Sequence, residues 1–171
     1  KENIYNKVYD LPAFIPMPQK VNWNSEKYLL KSYTAIYINK TACEKEAAKL
    51  QQYLASKNIS VQIKAKQNPG EKNIEFLLTE NRLSQKNDEA YNITVSANNI
   101  TIKAPTTHGL FNAIQTFKQL ANNTEVQGCE ITDSPAFSWR GFMVDVGRNY
   151  QSIKQLKQQI DVMAAYKLNI F

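Results

Sequence analysis

The stretch from Tyr91 to Ala104 constrains the fold most. Tyr91, Ile93, Val95 and Ala97 alternate with polar residues, and after Asn98-Asn99 so do Ile100, Ile102 and Ala104. Strict alternation places every second side chain on one face of a strand. Two such runs around a two-residue Asn turn predict a hairpin with one buried face, the Asn pair supplying the positive φ angles of the turn. A helical pattern follows at about 107–122, with Leu110, Ile114, Phe117 and Leu120 on one stripe and Gly109 near its start open to close backbone packing. A one-sided hairpin and a one-sided helix each need a partner, and each is the other's nearest candidate.

Upstream, residues 1–19 hold three prolines and little periodicity, and read as an extended lead-in. A strand is expected near 35–39. Thr41-Ala-Cys-Glu44 has the pattern of a capping box, and the helix behind it aligns Cys43, Ala47, Leu50 and Leu54 before ending near Lys57-Asn58. Residues 59–63 and 74–79 read as strands separated by the turn-forming Asn68-Pro-Gly70. The resulting order, β-α-β-β-β-β-α, predicts an α+β domain: a two-layer sandwich of a mostly antiparallel sheet with two helices. Residues 126–132 read as a further strand or a linker, and Asp133-Ser-Pro135 as a boundary, giving domains of 1–135 and 136–171.

Beyond the boundary the pattern changes. Residues 141–146 form a short apolar run, Ser152 and Gln155 make a second capping box, and Ile153, Leu156, Ile160 and Met163 line one helix face. Tyr166-Lys167 closes that helix and 168–171 starts another apolar run. This is β-α-β with a strand at each end, the repeating unit of a parallel sheet or barrel. A (β/α)8 barrel takes roughly 250 residues, so this reads as the opening of a truncated one. Phe142, Met143, Ile160, Met163 and Ile170 are expected to lack barrel partners here.

Charge and composition exclude several functions. The 171 residues carry a net charge of +6, but the lysines are scattered among acids and form no basic-aromatic strip, so nucleic acid is not the expected partner. No run approaches the roughly 20 apolar residues of a membrane span. Cys43 and Cys129 have no metal-site spacing and read as small buried residues, although the sequence does not decide whether they pair. His108 is the only histidine, which excludes a histidine-rich metal site within the chain. No metal or cofactor is expected. Sequons stand at Asn39, Asn58, Asn92, Asn99 and Asn122. The chain begins at Lys1 rather than Met, so either a leader was removed or the sequence was cut there, and the first reading carries the expectation of a secreted, periplasmic or cell-surface location.

Three segments together resemble family 20 glycoside hydrolases, the β-N-acetylhexosaminidases. Ile15-Pro-Met-Pro-Gln-Lys-Val21 resembles the entry to the family's non-catalytic domain. Glu89-Ala-Tyr91, Gly109-Leu-Phe111 and Gln115-Thr-Phe-Lys-Gln-Leu120 are similar to its closing hairpin and helix. Trp139-Arg-Gly141, Asp145, Arg148 and Ile160-Asp-Val-Met-Ala-Ala-Tyr-Lys-Leu-Asn169 resemble the first strand, first helix and second strand of the catalytic barrel. Many members carry histidine after the arginine that matches Arg148, where this chain has Asn149.

The resemblance implies hydrolysis of terminal non-reducing β-linked N-acetylglucosamine or N-acetylgalactosamine, with retained configuration and the substrate's own acetamido oxygen as nucleophile. It implies that Arg140 binds hydroxyls of the terminal sugar, a task suited to a rigid guanidinium fork; the residues alone leave a structural clamp as the other reading. Asp145 and Arg148 either shape the pocket or form an ion pair that orders the loop, and the ion pair is the simpler reading. The catalytic Asp-Glu pair is implied on a later strand beyond Phe171, so no catalytic residue is expected in this chain. Its partner would be a carbohydrate with a terminal N-acetylhexosamine. The alternatives are a non-catalytic module that binds carbohydrate or protein, or the accessory domain of another glycosidase family.

Overall fold

The computed structural model describes residues 11–31, 34–67, 72–79, 88–121 and 123–171. The chain divides into two compact units, 1–134 and 135–171. The expected turn at Asn68-Pro-Gly70 lies outside the described residues.

The larger unit is a mixed α+β structure. Its strands are β1 (Lys20–Leu29), β2 (Ala35–Ile38), β3 (Gln62–Lys64), β4 (Asn73–Leu78), β5 (Tyr91–Val95), β6 (Asn99–Ala104) and β7 (Glu125–Asp133). They form a single sheet in the order β1-β7-β5-β6-β4-β2-β3. Helix α1 spans Glu44–Ser56 and α2 spans Thr107–Leu120.

The sheet is not mostly antiparallel. β1–β7, β7–β5 and β5–β6 are antiparallel, while β6–β4, β4–β2 and β2–β3 are parallel. The cause is connectivity. Crossing from β2 through α1 to β3 returns the chain in the same direction, as a helical crossover does. Strands β5 and β6, by contrast, are joined by a tight turn.

The hairpin has its expected buried face. Ile93 pairs with Ile102 and Val95 with Ile100, while Asn92 meets Lys103 and Thr94 meets Thr101 on the opposite face. The turn differs from the expected one. Val95 opposite Ile100 puts Ala97-Asn98 at the tip, and among the described non-glycine residues only Asn58 and Lys167 have positive φ. A side chain closes this turn instead. Ser96 Oγ accepts from Asn99 N (3.1 Å) and donates to Asn99 O (3.0 Å), and Glu26 Oε2 accepts from Ala97 N at 2.9 Å.

The capping box expected at Thr41 does not form. Thr41–Cys43 is a 3-10 turn that runs directly into α1, so Cys43 is already helical and no side chain caps the helix. The apolar stripe is as read: Cys43, Ala47, Leu50 and Leu54 are fully buried. The helix closes through a Schellman motif, with Asn58 at φ 62° donating to Ala55 O and Ile59 N donating to Leu54 O. Helix α2 is capped by Thr106, whose hydroxyl accepts from Gly109 N at 3.2 Å. At Gly109 a Cβ would collide with Ala90 O and come within 2.9 Å of Ala104 Cβ, so only glycine lets α2 approach this closely.

Strand β1 was absent from the expected elements. A shift in register between Trp23 and Lys27 interrupts its alternation, and most of its residues are exposed at the sheet edge. The segment that read as strand or linker is strand β7. Leu50, Leu54, Ile74, Phe76, Ile93, Ile102, Leu110 and Phe117 share one core. Both cysteines are free and buried within it, and loss of solvation pushes the Cys129 thiol up to about 12.

One polar network lies inside this core. Tyr91 is fully buried, and its hydroxyl lies 2.6 Å from both Asp133 Oδ2 and Thr116 Oγ1. Burial and the adjacent carboxylate both hold the phenol protonated, far above its usual range. Gln19 N donates to Asp133 Oδ1 at 3.2 Å, and its side-chain amide donates to Ser134 O at 2.8 Å.

In the smaller unit, helix α3 spans Ile153–Ala165 and carries the expected capping box between Ser152 and Gln155. The two expected strands are reduced to one parallel bridge, Gly141 opposite Ile170. Strands in parallel sheets are normally flanked and covered on both faces. Among the described residues of this unit the bridge has no further neighbour, and Met143 is 89% exposed. Phe142, Ile160 and Ile170 are likewise exposed, whereas Met163 is buried.

Replacing Tyr91 with Phe leaves Asp133 and Thr116 without the shared hydroxyl. The expected loss is about 1–3 kcal/mol, measured by urea unfolding followed by far-UV circular dichroism.

Candidate functional site

Of the residues singled out in the smaller unit, Arg140 lies at the bridge between 140–142 and 169–170, whereas Asp145 and Arg148 pair with each other in the turn that follows. Three main-chain bonds define the bridge: Asn169 N and Ile170 N both donate to Arg140 O (2.8 and 3.2 Å), and Phe142 N donates to Ile170 O at 3.0 Å.

Arg140 is half-buried. Its Nε donates to Lys167 O at 2.8 Å and its Nη1 to Phe137 O at 2.6 Å. Two main-chain carbonyls from opposite ends of the unit therefore hold one guanidinium. Five donors in a planar fork make this possible, and the plane is fixed once two of them are engaged.

The carbonyl of Lys167 is available because of how α3 ends. Lys167 takes φ 60°, a conformation usually given to glycine. Lys167 N donates to Ala164 O and Leu168 N to Met163 O, which completes a Schellman motif. The chain thus reverses sharply at Lys167.

Asn169 was named only as part of a motif, yet it makes more contacts here than its type suggests. Its Oδ1 accepts from Arg140 N at 3.0 Å and its Nδ2 donates to Ser138 O at 2.8 Å. The signal available in the sequence was a polar residue interrupting the apolar run 168–171.

Asp145 and Arg148 meet as an ion pair, with Arg148 Nε 3.3 Å from Asp145 Oδ2. The other carboxylate oxygen accepts from Gly147 N (2.9 Å) and Arg148 N (3.1 Å), which shapes the turn after the bridge. The Arg148 side chain is 91% exposed. Water screens such a pair strongly, so the loop depends more on the two amide bonds than on the charge contact.

Beside these residues lies an open apolar groove of about 820 Å³, lined by Trp139, Phe142, Val144, Leu156, Ile170 and Phe171 among others. Among the described residues no three His, Cys, Asp or Glu side chains stand close enough to hold a metal. No helix there is long and apolar enough to cross a membrane.

Two sequence families match the chain in succession. Residues 11–134 match "Glycosyl hydrolase family 20, domain 2" and residues 137–171 match "Glycosyl hydrolase family 20, catalytic domain". The chain is 31% identical over 169 residues to a beta-hexosaminidase of Porphyromonas gingivalis, covering 92% of this chain and 22% of that protein. In fold it is similar to a GH20 exo beta-N-acetylglucosaminidase of Vibrio harveyi solved with N-acetylglucosamine. The TM-score is 0.78 and the identity 25%, over 93% of this chain and 25% of that one. The GH20 beta-N-acetylhexosaminidase of Streptomyces coelicolor gives a TM-score of 0.72 and 27% identity, over 93% of this chain and 35% of that one. The chain thus spans between about a fifth and a third of these relatives.

The geometry separates two substitutions in the loop. Arg148→Ala is expected to change stability by under about 0.5 kcal/mol. Asp145→Ala removes the acceptor for two amides and should cost about 1 kcal/mol. Faster amide exchange at Gly147 and Arg148 in the Asp145 variant alone would confirm the difference.

Proposed function

The chain belongs to glycosyl hydrolase family 20, and from that membership we propose that it is part of a β-N-acetylhexosaminidase. Residues 1–135 are its accessory domain, a sandwich of sheet and helices that supports the barrel. Residues 136–171 open the catalytic (β/α)8 barrel, with the single parallel bridge at Gly141 and Ile170 as the start of its ladder.

The whole enzyme removes terminal β-linked N-acetylglucosamine or N-acetylgalactosamine and retains configuration. The acetamido oxygen of the substrate attacks the anomeric carbon, in place of an enzyme carboxylate. An Asp that orients the acetamido group and a Glu that protonates the leaving oxygen belong to a later barrel strand. The enzyme acts outside the cytoplasm, on glycans that carry these terminal sugars.

Within this chain Arg140 is the substrate-binding residue. The observation that carries this role is its anchoring: with Nε on Lys167 O and Nη1 on Phe137 O, the guanidinium is fixed before any ligand arrives. A donor fixed in advance does not lose side-chain freedom on binding. Asp145 and Arg148 order the neighbouring loop and so set the edge of the pocket.

A chromogenic N-acetylglucosaminide assayed against the full-length protein and against residues 1–171 tests this reading. Turnover is expected from the full-length protein and none from the shorter chain, which holds no Asp-Glu pair at a barrel strand. Turnover by the shorter chain, or none by the full-length protein, would contradict it.

A further inference from the structure

Arg140 is held by more than its own side chain. Its backbone is held too, and one residue does most of that. Asn169 accepts from Arg140 N through Oδ1, donates to Ser138 O through Nδ2, and donates to Arg140 O through its main-chain amide. The three bonds, at 3.0, 2.8 and 2.8 Å, fall on both sides of the Cα that carries the guanidinium.

The consequence is geometric. A main chain gripped at residue 138 and at both ends of residue 140 has little freedom in the dihedrals that aim the arginine side chain. The two carbonyls that then receive the guanidinium, on Phe137 and Lys167, lie three residues before Arg140 and two residues before Asn169. Asn169 therefore holds in register both segments that supply those carbonyls. The contact needs an acceptor and a donor on one short planar group, which the asparagine amide offers. Aspartate keeps the acceptor and loses the donor, and glutamine is longer by a methylene.

We propose that Asn169 is the positioning residue for Arg140, acting on the sugar only through the arginine it aims. This rests on the substrate-binding role of Arg140. Loss of the amide lets the 138–140 segment shift, so that the guanidinium is no longer fixed where the sugar hydroxyls arrive. A misplacement of about 1 Å costs up to about a hundredfold in rate.

The test uses the full-length enzyme and a chromogenic N-acetylglucosaminide, with kcat and KM measured for wild type, Arg140→Ala, Asn169→Ala, Asn169→Asp and the double alanine variant. Thermal melting confirms that each is folded. Arg140→Ala is expected to lower kcat/KM strongly, Asn169→Ala by about tenfold or more, and the double variant no further than Arg140→Ala alone. Asn169→Asp should fall between wild type and Asn169→Ala. The proposal is overturned if Asn169→Ala stays within about twofold of wild type, or if the double variant shows the product of the two single losses. If Arg140→Ala itself is without effect, the sugar-binding reading fails and the proposal with it, a result visible independently of Asn169. Should Asn169→Ala not fold, Asn169→Asp decides, together with nitrogen-15 spectra of residues 1–171. There the Arg140 Nε–H signal should lose its protection from exchange in the Asp variant, and unchanged protection counts against the proposal.

Discussion

A carboxylate buried at the end of the last strand decides how the larger unit closes. Asp133 is 7% exposed and ends β7. Charge placed there must be met by donors, because burial without partners costs several kcal/mol. The donors come from far apart in sequence: the Tyr91 hydroxyl from β5 and the Gln19 amide from the lead-in, with Thr116 of α2 sharing the same phenol. Satisfying one carboxylate thus brings together the lead-in, a central strand and a helix. The cost is tolerable because the apolar core around it is large, and because Tyr91 is an aromatic that fills the core with one end and serves as donor with the other.

In the smaller unit a different rule operates. There is little apolar burial there, and Met163 is its one buried apolar side chain among the described residues. Order comes from main-chain groups meeting side chains with fixed donor geometry. Arg140, Asn169 and Asp145 each bind backbone atoms, and the Schellman reversal at Lys167 presents one of the carbonyls they need. Side chains anchored in this way are suited to binding a polar ligand. Sugar hydroxyls make directional bonds, and a donor that must be recruited on arrival gains less than one already in place.

The sequence was readable where one face of an element is buried. The helical stripes at 43–54 and 110–120 and the alternation at 91–104 follow from burial on one side, and the side chains named there lie in the core except Ala97, which the hairpin turn takes out of the alternation. It was less readable where local polar contacts decide. The tip of the hairpin sits at Ala97-Asn98 because Ser96 closes it, although Asn98-Asn99 has the stronger turn propensity. The register shift in β1 hides its alternation. The parallel half of the sheet depends on which strands become neighbours, a long-range choice that no local pattern carries. At the candidate site Arg140 and Arg148 stood out by resemblance. Asn169, which binds the arginine's own backbone, looked like an ordinary motif residue because its role exists only once the chain has folded back on itself.

The central claim is that a guanidinium fixed by two carbonyls meets the terminal sugar. The most direct measurement is a crystal structure of the full-length protein soaked with N-acetylglucosamine. The account predicts the sugar with its hydroxyls within hydrogen-bond distance of Arg140, and the arginine still bonded to the carbonyls of Phe137 and Lys167. A sugar bound away from Arg140, or an arginine that leaves those carbonyls to reach it, would contradict the account.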